Sequence, residues 1–151
     1  MSIKILDEIA SANERAGYIL HPLSLEESIR IRNELSAVYL KEKSAKIFSY
    51  QSLRDPSGFR SSAGWSVLPV FFGEAELFFF LNPDESQIVW RCGSTKDLVG
   101  LLADSYGYPF YVCSIDLDSL FCFDDHDCVM VAGKAAFHVE NAKRVLKIHD
   151  L

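Results

Sequence analysis

The sequence predicts an α+β fold: a single domain in which N-terminal helices pack on a mostly antiparallel sheet of about five to six strands. Three observations carry this. Residues 1–44 show helical apolar spacing, residues 65–133 hold short aromatic and β-branched runs with one helical insertion, and no linker or composition break divides the 151 residues. A chain of this length buries about 68–70% of its unfolded surface, which is enough for one core. With 49% apolar residues, among them eleven Phe, it lies far from the signature of disorder.

Leu6, Ile9, Ala10 and Asn13 recur at helical spacing between Ser2 and Ala16, and Gly17 is placed to end that helix in the left-handed conformation. Ser24 followed by Glu27 has capping-box spacing, and Leu25, Ile31, Leu35, Val38 and Tyr39 form the apolar stripe of a second helix through about Lys41. Residues 51–64 collect Asp55–Pro56–Ser57–Gly58 and Ser61–Ser62 and read as a long turn-rich loop, of the kind that is often functional. Trp65–Phe72, Glu76–Leu81 and Gln87–Cys92 then read as an antiparallel meander. Its middle strand is apolar on both faces, so helices should cover one side and a further layer or a partner the other. Ser94 with Asp97 opens a third helix, which runs to Tyr106 and stops at Gly107 and Pro109. Phe110–Ile115, Leu120–Phe123 and Cys128–Ala132 follow as strands, with Asp124–Asp125–His126–Asp127 as the turn between the last two. In residues 134–151 the spacing of Val139, Ala142, Val145 and Leu146 favours a helix over the strand-like alternation of Ala135, Phe137 and Val139.

The charge pattern narrows the function. Net charge is −6, which disfavours nucleic acid, whose affinity comes largely from Lys and Arg displacing counterions. From Asp97 to Asp127 there are seven acids and no Lys or Arg, and five of the seven crowd into Asp116–Asp127. Those carboxylates are expected to emerge together as an acidic rim at one end of the sheet, suited to a basic protein partner. Met1–Ile9 carries Lys4, Asp7 and Glu8 and lacks the form of a signal peptide, and Leu77–Leu81 is too short to span a membrane. The expected location is therefore the cytoplasm. Cys92, Cys113, Cys122 and Cys128 lie in or beside apolar runs and read as buried free thiols, with Cys122 and Cys128 as neighbours across strands.

Asp124–Asp125–His126–Asp127 is the sharpest local cluster, and it could bind a divalent cation or supply an acid and a base. Neighbouring residues on a tight turn diverge, however, whereas metal ligands must converge, and Asp is common in turns because it bonds its own backbone. Pairing of Cys122 or Cys128 with His126 or His138 lacks the elbow and oxyanion loop of a nucleophilic site. No phosphate-binding glycine motif is present around Gly64 or Gly73. Neither a cofactor nor a metal is expected. Trp65, Trp90, Phe59 and Tyr106 are aromatic candidates for an interface; Trp90 reads as core, and Phe59 and Trp65, which adjoin the loop, read as surface anchors.

Trp65–Pro69, Phe78–Leu81, Tyr111–Val112, Leu120–Cys122, Asp125–His126–Asp127 and Gly133 occur in an order that resembles the small bacterial immunity proteins encoded beside polymorphic or contact-dependent toxins. The likeness covers residues 65–133; Asp124 stands where the pattern has Asn, and residues 1–64 carry no counterpart. It implies a mixed α/β domain, not itself an enzyme, that neutralises a cognate toxin. The expectation drawn from both lines is an immunity protein whose Asp116, Asp118, Asp124, Asp125 and Asp127 pair with a basic nuclease toxin around Phe59 and Trp65. The alternatives are a small metal-dependent or Cys–His enzyme centred on His126, and an interaction module unrelated to toxins.

Overall fold

A computed structural model describes residues 2–41, 53–105 and 107–148. Seven strands form one sheet: β1 (Leu20–Pro22), β2 (Ser57–Arg60), β3 (Leu77–Phe80), β4 (Val89–Cys92), β5 (Phe110–Ser114), β6 (Ser119–Phe123) and β7 (Cys128–Gly133). Their order is β1-β4-β3-β5-β6-β7-β2, with every neighbouring pair antiparallel. The helices are α1 (Ser2–Arg15), α2 (Leu25–Tyr39), α3 (Leu68–Phe72), α4 (Thr95–Ser105) and α5 (Val139–Val145). The α+β class holds, with a sheet slightly larger than the sequence suggested.

Side chains alternate across a strand, so the register sorts the apolar runs into two layers. Phe79, Val112, Phe121 and Val131 lie in one cross-strand row and face α1, α3, α4 and α5 through Ile9, Phe71, Leu101 and Ala142. Phe80, Tyr111, Cys122 and Met130 form the adjacent row on the other face, under Ile31, Leu35 and Tyr39 of α2. β3 is buried on both faces, and helices cover both.

The helix ends follow the sequence. The Ser24 hydroxyl accepts from Glu27 N at 3.1 Å, that of Ser94 accepts from Asp97 N at 3.3 Å, and Gly17 takes φ +85°. Asn13 grips β1 by exchanging two hydrogen bonds with the Leu20 backbone at 2.9 and 3.1 Å. The α2 stripe differs from expectation, because Leu25 and Val38 are exposed whereas Ser28 and Arg32 are buried. Most of their polarity has partners: Ser28 accepts from Val89 N at 2.9 Å, and Arg32 donates through Nε and Nη2 to the Gln87 and Ser86 carbonyls at 2.9 and 2.8 Å while lying over the Phe80 ring, its Nη1 alone finding no acceptor among the described residues. Burial lowers the Arg32 pKa to about 10, which leaves it charged at neutral pH.

Two further expectations are corrected. Trp65–Phe72 is not a strand: a 3-10 turn over Gly64–Val67 leads into α3, where Pro69 opens the helix and Gly73 ends it at φ +64°. The loop expected over residues 51–64 contains edge strand β2, paired to β7, and Leu53 bridges Leu40; Gln51 and Ser52 lie outside the described residues. Residues 134–145 are helical, a 3-10 segment over Lys134–His138 preceding α5, so the strand-like alternation there has no strand behind it; residues 149–151 lie outside the described residues.

Gly133 closes the sheet end at φ +77°, where a Cβ would strike the Asp118 carbonyl and lie 2.8 Å from the Tyr39 hydroxyl. Gly17 has an equally unusual φ but open space around it. Gly133→Ala is therefore expected to cost about 2 kcal/mol or more and Gly17→Ala about 1 kcal/mol, read as shifts of the urea midpoint. Equal losses would show that crowding at Gly133 is not what its backbone conformation serves.

Candidate functional site

The five clustered aspartates do not form one rim. Asp116 and Asp118 precede β6 and Asp124, Asp125 and Asp127 follow it, so the two groups leave the sheet at opposite ends of a five-residue strand, roughly 16 Å apart along its axis. The sequence reading missed this because proximity along the chain hid the reversal of direction that every hairpin imposes.

At the β5–β6 turn the Asp118 carboxylate is held by its neighbours, whereas Asp116 is exposed. The Ser114 hydroxyl accepts from Asp118 N and Ser119 N, both at 3.1 Å, and donates to Asp118 Oδ1 at 2.9 Å. Lys134 Nζ lies 2.9 Å from Asp118 Oδ2, and Tyr39 donates its hydroxyl to the Leu117 carbonyl at 2.7 Å. Hydrogen bonds from Lys134 and then Ser114 hold the Asp118 pKa down at about 2, while burial, and then the nearby Asp118 charge, push Tyr39 up to about 12.

The β6–β7 turn is built differently. Asp124 points inward, and its Oδ1 accepts from His126 N at 2.8 Å and Cys128 N at 2.9 Å, so this carboxylate organises its own turn. Asp127 takes φ +62°, Ser61 N donates to its carbonyl at 2.9 Å, and Arg60 Nε donates to the His126 carbonyl at 3.0 Å, tying the turn to β2. Asp125, His126 and Asp127 project into solvent, with His126 Nε2 3.6 Å from Asp125 Oδ1. Among the described residues no group of three or more His, Cys, Asp or Glu converges on a position fit for a metal ion.

The loop after β3 shares this end. β3 and β6 both run antiparallel to β5 and so exit the sheet together, and Tyr111 bonds Asn82 Oδ1 at 2.6 Å while feeling the charges of both Asp124 and Asp84. Asp84, Asp125 and Asp127 are exposed, and no Lys or Arg among the described residues lies within ion-pair distance of them. Two buried carboxylate oxygens at the same end, Asp124 Oδ2 and Glu85 Oε2, have no nitrogen or hydroxyl donor among the described residues.

The expected aromatic anchors are not exposed. Phe59 and Trp65 are half-buried against the first core layer, and Phe59 stacks on Phe71 with 6.5 Å between centroids. Trp90 packs on Phe79 as core, and Tyr106 lies outside the described residues. The most exposed large apolar side chain among the described residues is instead Phe137, 88% exposed in the 3-10 segment before α5, a position the sequence marks only as part of an alternating run. Cys92, Cys113 and Cys122 are buried, whereas Cys128 is only partly so, and Cys122 faces Met130 rather than Cys128. Burial raises all four thiol pKa values, and in Cys128 the neighbouring Asp124 charge adds to it, opposite to the activation a nucleophilic thiol requires.

The fold and these two turns define a three-layer α+β domain with acidic groups displayed at the ends of its sheet. No family model, curated protein or solved structure matches the chain.

If Asp124 serves the turn and Asp125 faces outward, Asp124→Ala should cost about 1–2 kcal/mol and Asp125→Ala less than about 0.5 kcal/mol in denaturant unfolding. The reverse ranking would contradict the division of labour within this turn.

Proposed function

We propose that this protein binds a basic protein partner through the end of the sheet formed by the β6–β7 turn and the loop after β3, and that the partner is a toxin domain which it neutralises as an immunity protein. The supporting observation is the state of the acids there. Exposed Asp84, Asp125 and Asp127 have no Lys or Arg within ion-pair distance among the described residues. Lys or Arg side chains from a partner would give these exposed carboxylates charge-assisted hydrogen bonds that the described residues do not supply. The β6–β7 turn, pinned by Asp124, Arg60 and Ser61, offers its carboxylates with little ordering left to do on binding. Asp116 and Asp118 lie away from this surface, Asp118 serving its own turn, and Phe59 and Trp65 support the scaffold from within.

The toxin assignment rests on the resemblance over residues 65–133, and the nuclease class on the expectation that carboxylates stand in for the phosphates a nuclease grips. Catalysis at His126 finds less support, since Asp124 is committed to backbone amides and the nearby thiols are held protonated.

Asp125→Lys with Asp127→Lys is expected to slow association with the toxin domain that this reading places in a neighbouring gene by about tenfold or more at low salt, with the gap closing as salt rises. Surface plasmon resonance measures both. An unchanged association rate would remove this end of the sheet from the interface, and absence of any complex would remove the toxin reading itself.

A further inference from the structure

A groove of about 420 Å³ opens beside the β5–β6 turn, at the end of the sheet opposite the surface discussed above. Phe72, Ala75 and Ile115 supply its apolar wall; Glu76, Asp116 and Asp118 are its charged lining, and no Lys or Arg among the described residues lines it. The cations that meet these acids approach from elsewhere: Arg91 pairs with Glu76, its Nε at 2.8 Å, and Lys134 pairs with Asp118. Asp116 is exposed and has no cation of its own within ion-pair distance among the described residues. Ile115 is 39% exposed at the mouth, an apolar side chain set directly beside that carboxylate.

The mouth is also held in place. Ser114 ties the backbone of Asp118 and Ser119, Tyr39 ties Leu117, and Gly133 packs against the Asp118 carbonyl. A concave apolar wall with carboxylates at its rim matches a side chain that has an apolar stem and a cationic head. Lys and Arg both have that form. The planar guanidinium fits better, because it can bond Asp116 through two parallel N–H groups while its stem lies along the apolar wall.

We propose that this groove receives an arginine side chain from a partner protein, with its stem along Phe72 and Ile115 and its guanidinium at Asp116. The proposal does not rest on the acidic surface at the β6–β7 turn, and the two can be told apart because they lie at opposite ends of β6.

The test is a ¹⁵N chemical-shift titration of the full chain with Nα-acetyl-arginine amide, set against the neutral near-isostere Nα-acetyl-citrulline amide. Arginine amide is expected to shift amides in 72–76 and 114–119 with a dissociation constant on the order of millimolar. Citrulline amide, and arginine amide added to the Asp116→Asn protein, should bind at least about tenfold more weakly. Equal shifts with citrulline, no shifts in those segments, or shifts confined to Asp124–Asp127 would each overturn the proposal. Should Asp116→Asn fail to fold, the citrulline comparison on the unaltered chain decides the matter alone.

Discussion

Burial of the central strands on both faces is the constraint from which the rest of this structure follows. β3, β5 and β6 have no face turned to water: one side packs on α1, α3, α4 and α5 and the other on α2. Phe79 and Phe121 sit in the first layer and Phe80 in the second, all three fully buried. A sheet enclosed in this way has its ends and edges left for chemistry or recognition, and both edges are short strands, β1 and β2, which limits unwanted pairing with other chains.

Polar groups accordingly gather where strands turn, and each is anchored to backbone that the strands leave unpaired. Asp124 binds two amides of its turn, Ser114 binds two of the other, and Arg32 reaches the carbonyls after β4's preceding loop begins to straighten into the strand. The same residue types therefore play two roles within a few positions of each other. Asp124 and Asp118 hold turns, whereas Asp125, Asp127 and Asp116 are presented to solvent or to a groove.

The elements with the strongest local signals were legible in the sequence. Ser24 and Ser94 cap their helices, Gly17 ends α1, and the apolar runs of β3 to β7 fall where period and turn chemistry place them. What escaped had physical reasons. Trp65–Phe72 is aromatic enough to pass for a strand, but Pro69 and Gly73 bracket a single helical turn whose apolar residues face the core. β2 is hidden because Ser57–Gly58 reads as a turn, although Gly58 in fact fits closely against Val129 and Met130. Ser28 and Arg32 look like solvent-facing residues of α2, and their burial depends on backbone groups more than fifty residues away, an amide for Ser28 and two carbonyls for Arg32. The acidic cluster was visible as composition, while its division between two ends required the direction of each strand.

Native-state hydrogen exchange addresses the two-sided core most directly. The account predicts that the amides of Phe79, Val112 and Phe121 exchange only through global unfolding, with free energies that converge on the total stability, while those of His21 in β1 and Gly58 in β2 exchange through smaller openings. Exchange of Val112 as easily as that of the edge strands would mean that one face of the sheet is open to water, and the placement of recognition at its ends would lose its foundation.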